Sequence, residues 1–164
     1  MHLTKFTDLG LRSLMILGDT GAAGATDPAQ RRTIGELAVQ TNAPASHVKK
    51  VVARLTGLGI LESVRGRSGG VYLADGGRST NVGVLIRELE GHQEVVDCDG
   101  DAPCPLAGRG CQLRHMLADA QERFFATFDG VTLGELIDQT PPAGSARSQG
   151  PVPIGLPAPA PATR

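Results

Sequence analysis

The sequence predicts a mainly α fold with a small β-hairpin wing: a winged helix-turn-helix followed by a long dimerisation helix. Three observations predict it. Two capped helical segments are separated by a three-residue turn, a basic glycine-rich hairpin follows them directly, and an apolar stripe at helical spacing lies beyond a loop that carries every cysteine of the chain.

At 164 residues, 40% hydrophobic and 20% charged, the chain has apolar content for one ordinary core or two small modules sharing an interface. No stretch approaches the roughly 18 uninterrupted apolar residues of a membrane span. Lys5, Asp8 and Arg12 interrupt the N-terminal segment where a signal peptide needs an apolar run. The expectation is a cytoplasmic protein without membrane association.

A first helix is expected from about Thr7 to Leu17, with Thr7 as its cap and Gly18 as its stop. Leu9, Leu11, Leu14, Met15, Ile16 and Leu17 coat most of its circumference, and only the i,i+4 pair Asp8 and Arg12 breaks the coat, so burial on several faces is expected. Residues 18–30 read as a loop. Thr33 then caps a short helix, Ile34 to Gln40, with Glu36 completing a capping box. After the turn Thr41-Asn42-Ala43, Pro44 occupies the first position of a helix that continues to Leu58 and closes at Gly59. Val48, Val51, Val52 and Leu55 form its apolar stripe, which leaves Ser46, Lys49, Lys50 and Arg54 on the other side.

Gly59 to Val64 and Val71 to Leu73 read as two strands joined by Arg65-Gly66-Arg67-Ser68-Gly69-Gly70. Glycines let a backbone approach a phosphodiester closely, and an arginine at the tip can reach a phosphate or the minor groove, as the wing of a winged helix does. The helices and the hairpin together point to double-stranded DNA. Ser46, His47, Lys49, Lys50 and Arg54 on the helix, Arg65, Arg67, Ser68 and Gly69 in the wing, and Lys5 are the candidate contacts. Charge agrees: residues 31–80 hold eight Lys/Arg against three Asp/Glu, whereas residues 93–140 hold nine Asp/Glu against three Arg.

Residues 74–80 form a linker, and Val82 to Glu90 a helix ended by Gly91. From His92 to Gln112 neither helical nor strand period is visible. Cys98, Cys104 and Cys111 lie there among Gly and Pro residues. An odd cysteine count in a reducing compartment disfavours a disulfide framework, and three thiolates supply three corners of a tetrahedral zinc site or a cubane iron-sulfur cluster. The fourth ligand must come from another residue or another chain. Leu113, Met116, Leu117, Ala120, Phe124 and Phe128 then lay a stripe on a long helix, suited either to a second copy or to packing within one chain. Thr132 and Glu135 open a last short helix through another capping box. The expected organisation is a DNA-binding domain over residues 1–75, a linker and helix over 76–91, a cluster-binding loop over 92–112, dimerisation and C-terminal helices over 113–139, and a disordered Pro/Ala-rich tail over 140–164.

A winged helix, a helix, a three-cysteine loop and a long hydrophobic helix, in that order, resemble the iron-sulfur winged-helix transcription regulators of the NsrR/IscR type, over residues 1 to about 135. The residues that carry the resemblance are Leu3-Thr4-Lys5-Phe6-Thr7-Asp8-Leu9, the wing Arg65 to Gly70, Arg87-Glu88-Leu89-Glu90-Gly91, and Cys98-x5-Cys104-x6-Cys111. They look most like the actinobacterial branch that senses nitric oxide. The resemblance implies a cluster-dependent repressor, a homodimer in which Cys98, Cys104 and Cys111 of one subunit hold a 4Fe-4S cluster and Asp8, contributed by the other subunit, is the fourth ligand. Arg12, one turn from Asp8, is placed to orient that carboxylate. A carboxylate binds iron more weakly than a thiolate, so the corner it fills is open to nitric oxide as the signal. By the same resemblance the regulated genes serve nitric-oxide detoxification.

The sequence departs from the family pattern at three points. Arg114 stands where the IscR-like branch has a histidine ligand, with His115 one residue further on; Ser68 replaces a wing glycine; and the spacing before Cys111 is one residue longer than the family pattern. Three rivals follow: a 2Fe-2S regulator using His115 or His92, a zinc-stabilised winged-helix module, and an electron-transfer or catalytic iron-sulfur protein. No nucleophile-base constellation or cofactor fingerprint points to an enzyme.

Overall fold

The structure is a computed structural model and describes residues 2–19, 31–66, 68–91 and 94–141. Most of the loop expected before Arg31, the wing residue Arg67, the rival ligand His92 and the tail past Pro141 lie outside the described residues. Among the described residues six α-helices and one hairpin follow in the order α1 (Lys5–Gly18), α2 (Ile34–Thr41), α3 (Ala45–Gly57), β1 (Leu61–Val64), β2 (Gly70–Leu73), α4 (Val82–Glu90), α5 (Gln112–Ala126) and α6 (Leu133–Gln139).

Helix α1 begins two residues before the expected start. Thr4, not Thr7, is its cap: the Thr4 Oγ1 accepts from the Thr7 N–H at 3.2 Å, and Glu90 Oε1 accepts from both the Thr4 N–H (2.8 Å) and its hydroxyl (3.0 Å). Thr7 is fully buried instead. The rest of α1 behaves as its apolar coat demands, packing on α2, α3, α4, α6 and β2. At Gly10 a Cβ would sit 2.9 Å from Leu89 Cδ1, so the missing side chain sets how closely α1 and α4 approach.

The α2 capping box is present, with Thr33 and Glu36 each satisfying the other's backbone N–H, and Asn42 takes the left-handed conformation (φ 51°) that turns the chain into α3. Pro44 is the N-cap of α3 and not its first residue; its fixed φ suits either position, and its carbonyl already accepts from Val48 at 3.2 Å. Val48, Val51 and Leu55 are completely buried, as the stripe predicts. The strands pair antiparallel, Leu61 opposite Leu73 and Glu62 opposite Tyr72. Arg32 adds an isolated bridge to Val71 beside them.

The core joins α1, α2, α3, the hairpin, α4 and α6 through Leu14, Leu37, Val48, Val51, Leu55, Leu61, Leu85 and Leu133. Fully burying an aliphatic side chain of this size contributes about 1.5–3 kcal/mol. A second cluster sets Phe125 against Val82 and Ile86, with Leu3, Leu11, Phe124, Phe128, Val131 and Leu136 around it. The apolar stripe of α5 therefore divides. Its Phe124 and Phe128 lie against this cluster beside the buried Phe125, which the expected stripe leaves out, whereas Leu113 and Met116, each 61% exposed, belong to neither cluster. No helix of the described residues is long and apolar enough to cross a membrane.

Candidate nucleic-acid interface and metal centre

Helix α3 packs its apolar stripe against α1, α2 and β1, which turns Ser46, His47, Lys49 and Lys50 outward, all exposed. Lys5 at the start of α1 stands beside them. Lys5, Phe6, Leu9, His47, Lys50 and Val51 line a cleft of about 260 Å³, apolar at its floor and cationic at its rim. Arg54 is placed differently. Its Nη2 donates to the Glu88 carboxylate at 2.8 Å and to the Glu88 carbonyl at 3.3 Å, so the last turn of α3 is tied to α4.

In the wing, Arg65 and Ser68 are exposed. The tip is tight: the Gly69 N–H donates to the Gly66 carbonyl at 3.0 Å, Gly66 has φ +117°, and a Cβ on Gly69 would run into the Val64 carbonyl oxygen. The hairpin base contains a residue that sequence reasoning passes over. The Arg31 guanidinium lies 5.7 Å from the Tyr72 ring centroid and donates to the Ser68 carbonyl, while the Tyr72 hydroxyl donates to Glu62 at 2.7 Å. That hydrogen bond holds the phenol's pKa above its ordinary value.

The cysteines occupy the segment between α4 and α5, where the described residues contain no helix or strand except the 3-10 turn Ala107–Arg109. None is in a disulfide; Cys98 is buried, and Cys104 and Cys111 are half-buried. The Cys104 N–H donates to the Cys98 carbonyl at 3.0 Å, and Cys111 is the N-cap of α5. Burial pushes the Cys98 thiol up, and the nearby positive charge of Arg114 opposes it. Arg114, in the first turn of α5, grips the loop: its Nε and Nη2 donate to the two carboxylate oxygens of Glu94 at 2.7 and 2.6 Å, and Nη2 also donates to Asp99 at 2.6 Å. Glu94 first and Asp99 second push the guanidinium's high pKa higher still.

Among the described residues no group of three or more His, Cys, Asp or Glu is arranged to hold a metal ion. The donor chemistry nevertheless fits one: three free thiols share a single loop, anchored by α4 on one side and α5 on the other. Asp8 is half-exposed and bound through both oxygens by its own Arg12, at 2.9 Å each. Within one chain the structure does not bring Asp8 and the cysteines into one ligand group. His115 is exposed, and its backbone N–H donates to the Cys111 carbonyl in the first turn of α5. A separate charged joint fastens α4 to α5 and the turn after it, where Arg87 pairs with both Glu122 and Asp129 and its side chain lies against the Phe125 ring.

A family model described as Rrf2, iron-dependent transcriptional regulators, matches residues 3–139. The chain is 47% identical to the HTH-type transcriptional repressor NsrR of Streptomyces coelicolor over 156 residues, covering 95% of this chain and 96% of that protein. It is 32% identical to the HTH-type transcriptional regulator NsrR of Bacillus subtilis, over 84% of this chain and 90% of that one. Among solved structures it is similar in fold to T. potens IscR, with a TM-score of 0.63 and 19% identity over 90% of this chain and 93% of that chain. It is also similar to the oxidized form of Staphylococcus aureus CymR, with a TM-score of 0.61 and 20% identity over 86% of this chain and 99% of that chain.

Proposed function

We propose that this chain, which belongs to the Rrf2 family of iron-dependent transcriptional regulators, is a homodimeric repressor that senses nitric oxide through a 4Fe-4S cluster and controls nitric-oxide detoxification genes. The observation that carries the reading is the set of three free thiols in one loop, Cys98, Cys104 and Cys111, directly joined to the helices that brace a winged-helix module. Residues 1–75 would bind DNA, 76–91 connect, 92–112 hold the cluster and 113–139 join the two copies. The 47% identity to a protein named NsrR supports the signal.

Cys98, Cys104 and Cys111 would hold the cluster from one subunit, and the carboxylate of Asp8 would close it from the other. When bound, the cluster would supply one iron whose carboxylate ligand is exchangeable for a diatomic gas. Arg12 keeps both Asp8 oxygens oriented on the exposed side of α1. The Thr4–Glu90 hydrogen bonds tie the start of α1 to the end of α4, immediately before the cysteine loop, so a change at either place is felt by the other. Exposed Leu113 and Met116 would be covered by the second copy.

On DNA, α3 would enter the major groove of each half-site, with Ser46, His47, Lys49 and Lys50 facing bases and phosphates, Lys5 beside them, and Arg65, Arg67, Ser68 and Gly69 at the flanking backbone. Arg54 would exchange Glu88 for a phosphate. Fluorescence anisotropy under anaerobic conditions, with an operator duplex selected from random-sequence DNA, tests the reading. Nitric oxide should release the duplex, and binding unchanged at saturating nitric oxide would contradict it.

His115, exposed one helical turn past Cys111, keeps a 2Fe-2S centre of the IscR type as the second reading. Loss of a two-iron cluster on replacing His115 would favour it.

A further inference from the structure

We propose that Arg114 is the positioning residue of the cysteine loop, which folds the loop around Cys98 before any metal arrives; the purpose of that fold rests on the metal-centre reading above. The residues on which it acts bracket a thiol. Glu94 lies four residues before Cys98 and Asp99 directly after it, while Arg114 lies three residues past Cys111 in the first turn of α5. One guanidinium, only 28% exposed, thus joins both flanks of the buried cysteine to the helix that the third cysteine caps.

An isolated exposed ion pair stabilises little, because two long side chains must be ordered for one weak contact. Here a single ordered arginine serves two carboxylates, and Glu94 is held through both oxygens in the planar fork that only a guanidinium offers. The loop has little else. Among the residues described between Glu94 and Cys111 there is no regular element apart from the 3-10 turn, and only Cys98 is buried. Remove the grip, and the flanks of Cys98 lose the ion pairs that fix them to α5.

The test is alkylation of the metal-free, full-length protein with iodoacetamide, read by peptide mass spectrometry as the rate at Cys98 relative to Cys111. The ratio makes Cys111 an internal control against general unfolding. Arg114→Ala should raise it several-fold and Arg114→Lys less, since charge remains and the fork is lost. Should Arg114→Ala not fold, Glu94→Gln with Asp99→Asn leaves α5 untouched and should also raise the ratio. An unchanged ratio in that double variant overturns the proposal. After reconstitution with iron and sulfide, the double variant should lose its cluster to a chelator about tenfold faster than the wild type. A wild-type protein that takes up no cluster would defeat the functional reading, while the alkylation ratio still decides the role of Arg114.

Discussion

The winged-helix module and the cysteine loop are held together by opposite means. Leu37, Val48, Val51 and Leu55 in the first have no exposed surface, so its geometry rests on close-packed apolar contact that exists with or without a ligand. Among its described residues the second has one that is buried, Cys98, and a lattice of charges around Arg114. A region built from its core is a fixed reading head. One built from ion pairs is held by a few polar contacts, which the loss of a single charge can release.

Four substitutions or conditions sharpen that contrast, beginning with the largest effect. Cys104→Ala should abolish the cluster and lower operator affinity toward the non-specific level, a loss of roughly a thousandfold or more, with far-ultraviolet circular dichroism unchanged. A cluster-free variant that still binds its operator tightly would break the coupling. Leu55→Ala should do the reverse, destabilising the fold by about 2–5 kcal/mol through the cavity it leaves, as read by thermal unfolding of the metal-free protein. If its melting point is unmoved, the module does not depend on its core.

Lys50→Ala should weaken DNA binding evenly across sequences and lower the slope of log affinity against log salt by about one, with the cluster spectrum intact. A changed spectrum would give the residue a structural duty instead. The smallest effect concerns acid. The hydrogen bond from Arg87 holds the Asp129 carboxyl below its ordinary pKa. A group depressed in the folded state stabilises above its unfolded pKa, near 4, and loses that contribution as pH falls through the folded value. Both groups are partly exposed, so the joint between α4 and α5 should loosen only slightly below about pH 4. Asp129→Asn should remove that part of the acid transition, and an identical transition in both proteins would contradict it.

Local signals made most of the fold legible. The boxes Thr33–Glu36 and Thr132–Glu135 hold as expected, because a cap and its partner three residues on need nothing from the rest of the chain. Gly91 ends α4 for the same reason. Errors fall where a distant residue decides. Thr4 displaces Thr7 as the cap of α1 because Glu90, 86 residues away, accepts from it, and the long stripe of α5 divides because only its phenylalanines meet Val82 and Ile86. Asn81, the cap of α4, follows Ser79 and Thr80, two residues of equal capping ability, so the sequence does not single it out.

The residues proposed for the site were legible in part from local signals. Three cysteines in one loop need no structure to be recognised, nor do outward-facing Lys49 and Lys50 opposite a valine stripe. The grip of Arg114 on Glu94 and Asp99 and the tie from Arg54 to Glu88 span 15 to 34 residues with no period to betray them. Asp8 entered through resemblance, since one carboxylate on an apolar helix carries no metal signature.

The central claim is that this loop carries an iron-sulfur cluster and not a structural ion, and the most direct measurement is the intact mass of the anaerobically purified protein under non-denaturing conditions. The account predicts a dimer with four irons and four sulfides per chain; zinc alone, or no metal, would contradict it.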